Sequence, residues 1–254
     1  MGWVKIKEIT APSKAEIAIL GFPGMANVGE QVLTYLIKEK EPVPVAKIYS
    51  EHLMFPNNMV GISVLEDGKF VIPSVSIFNL EEEGIALATS DVQPLPWGGM
   101  EVASEIMKFL MKMGTKKIVV VTGFVDESLA RKALVFGSDE DLLRKFLEAG
   151  AIKQDVIKSV IGLAGSVLAI SKIRGLNSVV VSGVAPDYSP DPKAAKAVLE
   201  VLNKTFSLGI DFKIIDRQIE EIERIKSELI KEIEKKIREE MQRGGVDEST
   251  EYVG

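Results

Sequence analysis

Residues 17–30 read Ile17-Ala-Ile-Leu-Gly21-Phe-Pro-Gly24-Met-Ala-Asn-Val-Gly29-Glu30. A short apolar run passes into a glycine-punctuated turn and then into a helical pattern that continues to Lys40. That is a strand–loop–helix unit, and the chain repeats its rhythm. Lys117–Thr122 (KIVVVT) and Ser178–Ser182 (SVVVS) are apolar at successive positions, as expected of strands covered on both faces. Each is followed by glycine or a turn and then by a helix pattern, the βαβ alternation of a mostly parallel sheet. Further strands are expected at Glu16–Leu20, Val43–Tyr49, Val60–Leu65, Phe70–Ile77 and Ile85–Thr89. Helices are expected at Val28–Lys40, Met100–Met113, Asp139–Ala149, Leu163–Ile173 and Pro192–Phe206. The Asp67-Gly68 pair between two strands marks a hairpin, so part of the sheet is antiparallel. The expected fold is an α/β three-layer sandwich with a mostly parallel sheet over residues 1–210, followed by a long C-terminal helix.

Composition bounds the chemistry. The 254 residues carry a net charge of −6, one histidine and no cysteine. Without cysteine there is no disulfide framework, thiolate zinc site or cysteine nucleophile. The acidic balance argues against a nucleic-acid backbone binder. The longest apolar run, Val160–Ile170, is too short and glycine-rich to span about 30 Å of hydrocarbon. No signal peptide is evident, so a soluble cytoplasmic protein is expected. Abundant Lys, Glu and Ile with no Cys would suit a thermophile.

The glycine loop invites a test as a phosphate cradle, because amides at a helix N-terminus can hold an anion. Its spacing, G-x-x-G-x-x-x-x-G, is not that of a dinucleotide fold. Gly24 and Gly29 match the start of a P-loop, yet Glu30-Gln31 stands where Lys-Ser/Thr is required. The competing reading is a tight strand-to-helix turn with close packing. His52 could pair with Ser50, but no G-x-S-x-G elbow exists and a loop histidine is the simpler reading. Asp187–Asp191 lacks the glycine and distal glutamate of a calcium loop. No metal site and no cofactor are expected. Asp91 and Gln93, Asp126 and Tyr188 each follow an expected strand, and carboxyl ends of parallel strands host ligands. With Gly21, Gly24 and Gly29 they form a candidate small-molecule site; equally, Asp91 and Asp126 could cap their own loops.

Gly21-Phe-Pro-Gly24-Met-Ala-Asn-Val-Gly29 followed by Leu33–Ile37 resembles the opening motif of the PAC2 family of proteasome assembly chaperones and their archaeal relatives. Ser90–Pro94, Val119–Phe124, Gly162–Gly165, and Gly183 with Tyr188 and Pro190 agree in order, so the resemblance spans about residues 15–210. It implies a phosphorylase-like fold without an established catalytic site. It also implies a non-catalytic, oligomeric protein that binds other proteins in proteasome biogenesis or docking. The alternative is a nucleoside- or phosphate-binding enzyme of that fold.

The C-terminal segment gives an independent signal. Apolar residues fall at Ile215, Ile219, Ile222, Ile225, Leu229, Ile233, Ile237 and Met241, with nearly everything between them charged, in the amphipathic stretch of residues 211–243. From Ile219 to Met241 is 22 residues in six steps, a period of about 3.67. That is an 11-residue repeat rather than a heptad, favouring straight or slightly right-handed packing. Acid-first pairs such as Glu220–Arg224 and Glu232–Lys236 add about 0.3–0.5 kcal/mol each, too little to hold the helix unaided. Burying its seven Ile and Leu side chains would contribute on the order of 10–20 kcal/mol before ordering costs. At about 44 Å, the helix is as long as a 210-residue domain is wide, about 43 Å. Its cover is either its own domain or, as preferred here, copies of itself or a partner helix. Isoleucine throughout leans toward more than two helices, and a closed ring of identical subunits is a natural arrangement. Residues 244–254 read as a flexible tail, and Tyr252 with Glu251 before it departs from the proteasome-activator ending of a hydrophobic residue, tyrosine and any last residue.

Overall fold

The computed structural model describes residues 3–53 and 61–243. Val60 of one expected strand and the tail at 244–254, including Tyr252, lie outside the described residues. The chain divides into two compact units, residues 1–211 and 212–254.

Among the described residues there are eleven strands and six α-helices. They are β1 (Val4–Glu8), β2 (Ile17–Gly21), α1 (Val28–Lys40), β3 (Val43–Ser50), β4 (Ser63–Val64), β5 (Phe70–Val71), β6 (Val75–Leu80) and β7 (Ile85–Ser90). Then come α2 (Gly99–Lys112), β8 (Lys117–Val125), β9 (Ala133–Gly137), α3 (Glu140–Glu148), β10 (Ile152–Lys153), α4 (Gly162–Ile173), β11 (Asn177–Ala185), α5 (Pro192–Phe206) and α6 (Lys213–Arg243).

The fold is α/β, and its sheet is mixed rather than mostly parallel. Nine strands run in the order β1-β3-β6-β7-β2-β8-β11-β9-β10. β7, β2, β8 and β11 form a parallel block in the centre, and the short β10 lies parallel to β9 at one edge. On one side, β6 pairs antiparallel with β7 across the short Glu81–Gly84 turn, and β3 and β1 extend that meander. On the other side, β9 lies antiparallel to β11. Connection length explains the β6–β7 pair: a four-residue turn can only reverse the chain, whereas a parallel neighbour needs a crossover. The Asp67-Gly68 turn does close a hairpin, with Gly68 N–H donating to Leu65 O at 2.8 Å. That hairpin is the separate β4–β5 ribbon and not part of the main sheet. The expected strand Phe70–Ile77 is broken at Pro73, which has no N–H to give a ladder.

Helices cover both faces of the sheet. Side chains of β8 alternate, so Ile118 and Val120 join the cluster under α2 and α4 with Ala18, Leu20, Ala86, Ala88 and Val180. The other face carries α1 and α5, whose Val28 and Val198 crowd Gly183 of β11. A Cβ at Gly183 would lie 2.5 Å from the Ala194 carbonyl oxygen, so α5 reaches the strand backbone directly.

Helix starts follow local chemistry. Asp139 caps α3, its carboxylate accepting from Leu142 N–H at 2.9 Å. Asp191 caps α5, accepting from Lys193 N–H at 2.8 Å and Ala194 N–H at 3.1 Å, with Pro192 at the first helical position. Asp191→Ala strips both amides of their acceptor and is expected to cost about 1 kcal/mol, read as a lower urea midpoint with unchanged slope.

Candidate functional site

A well-formed cleft opens where the parallel strands end. Its volume is about 560 Å³. The loop after β2 (Phe22–Met25) supplies one wall, the Gln93–Gly99 segment before α2 a second, and Ile157–Gly162 with the first turns of α4 a third. The ends of β8 and β11 form the floor, where Ser182 and Thr122 are register partners. Carboxyl ends of parallel strands are where α/β sheets leave such room, because the chain departs there toward opposite faces.

Gln93 holds the walls together. Its Nε2 donates to the carbonyl oxygen of Pro23, and its Oε1 accepts from Leu163 N–H at 3.0 Å. One side-chain amide therefore ties the glycine loop to the first turn of α4, whose own cap residue, Ile161, offers no side-chain acceptor. On the floor, the Thr122 and Ser182 hydroxyls lie 2.6 Å apart, with Ser182 fully buried.

Of the seven residues expected at a ligand site, Gly24 and Gln93 line this cleft, and Gly21, Gly29, Asp91, Asp126 and Tyr188 do not. Gly21 and Gly29 are packing positions. A Cβ at Gly21 would sit 2.3 Å from the Gly29 carbonyl oxygen, and one at Gly29 would sit 2.7 Å from Phe22 O. Asp91 borders a separate pocket of about 180 Å³ with Glu30, Lys47 and Thr89. Asp126 turns back on its own loop, accepting from the Ser128 hydroxyl at 2.6 Å and from Ser128 N–H and Leu129 N–H at 2.8 and 3.1 Å. The Ser128 hydroxyl, with those amides, holds the Asp126 carboxyl below the usual carboxylate range. Tyr188 is 74% exposed.

His52 is not a free loop histidine. It is buried, its Nε2 lies 3.2 Å from Glu101 Oε2, and its ring rests where a Cβ on Gly98 would be. Ser50 Oγ accepts from His52 N–H at 3.1 Å, so the backbone rather than the imidazole engages that hydroxyl. Among the described residues, no group of three or more His, Asp and Glu side chains could hold a metal ion. No helix among them is long and apolar enough to cross a membrane.

The Thr122–Ser182 pair was missed by residue-by-residue reading, although a signal exists. Val119–Phe124 reads VVVTGF and Val179–Val184 reads VVVSGV, three valines, a hydroxyl and a glycine in each. The parallel register sets the two copies side by side.

In the second unit, α6 carries its apolar residues on one stripe. Ile215 is buried and Ile219 half-buried, whereas Ile222, Ile225, Leu229 and Ile233 are exposed. The side chain of Ile237 lies outside the described residues.

The PAC2 family profile matches residues 18–230. The chain belongs to the PAC2 family. Among the relatives of this PAC2 protein, the crystal structure of PbaB from Pyrococcus furiosus, an archaeal proteasome activator, superimposes with a TM-score of 0.79 at 26% identity. The match covers 90% of this chain and 99% of that one. PbaA of the same organism, an archaeal homolog of proteasome-assembly chaperone, superimposes at 0.76 with 24% identity over 94% of this chain and 97% of its own. The uncharacterized protein MJ1210 of Methanocaldococcus jannaschii is 24% identical over 98% of this chain and 96% of its length. The PAC2 match takes in the glycine loop, the cleft and the first part of α6.

Proposed function

We propose that this PAC2 protein is a non-catalytic, homo-oligomeric scaffold that binds proteasome-related proteins in the cytoplasm, in the manner of an assembly chaperone. The observation that carries the reading is the exposed stripe of α6: Ile222, Ile225, Leu229 and Ile233 stand 37%, 53%, 56% and 48% exposed among charged neighbours. A soluble helix gains most of its stability by covering such a face, so the stripe calls for a protein surface. In this reading residues 1–210 are the PAC2 body, 211–243 the oligomerisation helix and 244–254 a tail. Ile219, Ile222, Ile225, Leu229, Ile233 and Ile237 form the seam; Ile215, expected there from the sequence, is already buried within the chain and is not available to it. A closed ring of identical subunits satisfies every copy equally. The likeness to PbaB and PbaA supports proteasome-related partners.

Native mass spectrometry of the full chain, alone and mixed with 20S proteasome α subunits, tests this. The expected spectra show a single closed multiple of the chain mass and a further species containing both proteins. A monomer that forms no mixed species at micromolar concentration overturns the proposal.

A further inference from the structure

We infer that the strand-end cleft is a binding site for a small carboxylate with an apolar body. This inference is independent of the scaffold reading, since the cleft lies wholly within the first unit.

Volume comes first. At about 560 Å³ the cleft falls within the range of pockets that hold small organic ligands and well above the room needed by one water. Its walls are chiefly apolar, contributed by Phe22, Pro94, Leu95, Phe124, Ile157 and Val160. Such walls favour an apolar body over a bare ion, whose hydration they could not replace.

The polar groups determine the head of the ligand. No Asp or Glu lines the cleft, and Lys158 does; its exposed ammonium donates to the Asp155 carbonyl oxygen at 2.8 Å and has two further protons to give. On the floor, two hydroxyls carry two protons, and the 2.6 Å contact between Thr122 and Ser182 uses one. The other has no acceptor among the described residues, so the floor presents an O–H donor into an apolar space, an arrangement completed by an acceptor on a ligand. The first turn of the 12-residue helix α4 borders the same space, and its amides favour negative charge. A cation, a hydroxyl donor and a helix start around one apolar cleft, with no opposing carboxylate, are complementary to a single carboxylate. The paired V-V-V-T/S-G pattern supplies the floor: each hydroxyl is followed by a glycine that lets another segment close in. At Gly123 a Cβ would stand 1.9 Å from the Met25 carbonyl oxygen, and at Gly183 2.5 Å from Ala194 O.

The test uses 3-phenylpropionate, its neutral amide and inorganic phosphate, titrated into the full-length protein. Backbone amide NMR shifts and calorimetry are the readouts. Saturable binding of 3-phenylpropionate is expected, with shifts centred on Gly99, Gly123 and Gly162. The amide is expected to bind about 5-fold more weakly, since it loses the charge-assisted contact. Thr122→Val with Ser182→Ala is expected to weaken the acid about 10-fold, and Lys158→Ala to bring acid and amide to within about 2-fold of each other. If the buried double variant does not fold, the comparison of acid, amide and phosphate on the unmodified protein decides the matter. Absence of shifts at about 10 mM ligand, shifts centred elsewhere, equal affinity for acid and amide, or a phosphate response matching the acid overturns the inference.

Discussion

The double substitution Ile225→Glu, Leu229→Glu is expected to bring the solution mass of the full chain down to that of one protomer, 27.8 kDa. The two side chains are 53% and 56% exposed, the most open of the described stripe. Exposed positions on a helix tolerate glutamate with little intrinsic penalty, so the helix itself should survive. Covering four Ile and Leu side chains would contribute about 6–12 kcal/mol per protomer before ordering costs, enough to decide assembly. Placing two carboxylates in that seam removes half of the gain and adds charges that must be desolvated. Light scattering should therefore report a change of several-fold in mass, while thermal unfolding of the first unit stays within a few degrees. A mass unchanged by the double variant, with circular dichroism unchanged, would remove α6 from the assembly.

Gly21→Val is expected to have the largest effect on stability. A Cβ there would stand 2.3 Å from Gly29 O and 2.4 Å from Leu33 Cδ2, and both neighbours sit on α1. A carbonyl of the helix backbone cannot rotate away as a side chain can, so α1 must lift from β2 or the strand must shift. Overpacking of a tight core typically costs about 1–3 kcal/mol, and a backbone collision with a branched residue belongs at or above the upper end, about 3 kcal/mol. Chemical denaturation should show a midpoint lower by that amount, or the variant should fail to accumulate. Gly24→Ala is the matched control three residues on. Its φ is −176°, an extended backbone open to any residue, and the nearest atom to an added Cβ is 3.9 Å away. That change is expected to stay within about 0.5 kcal/mol. Equal losses at the two positions would mean that the loop, rather than the β2–α1 contact, is what glycine serves.

The contrast shows what could be read from the residues alone. Period and punctuation identified α1 and α5 with their observed limits, Val28–Lys40 and Pro192–Phe206, because proline, capping acid and apolar spacing are local signals. The valine runs of β8 and β11 announced buried parallel strands for the same reason. Partner choice is not local. β9 (ALVFG) carries no mark that it returns antiparallel to β11, and β1 (VKIKE), diluted by lysines, gives little strand signal until its antiparallel neighbour β3 is known. The grouping of the candidate site residues is non-local in the same way. Asp91, Asp126 and Tyr188 each follow a strand, but residues just beyond a strand end can turn toward their own loop or solvent, as Asp126 does. Gln93, two residues past Asp91 and expected at the site from its place after a strand, is the one that reaches across; its partners, Pro23 and Leu163, appear only in three dimensions.

The two margins of the large sheet restrict how copies of this protein can meet. One margin is β1, five residues with Lys5, Lys7 and Glu8 among them; the other is β10, two residues long. Charged and abbreviated borders make poor templates for strand addition. Growth by continuous β-pairing from one molecule to the next is thereby discouraged, which leaves side-chain surfaces such as the α6 stripe as the places where copies can join.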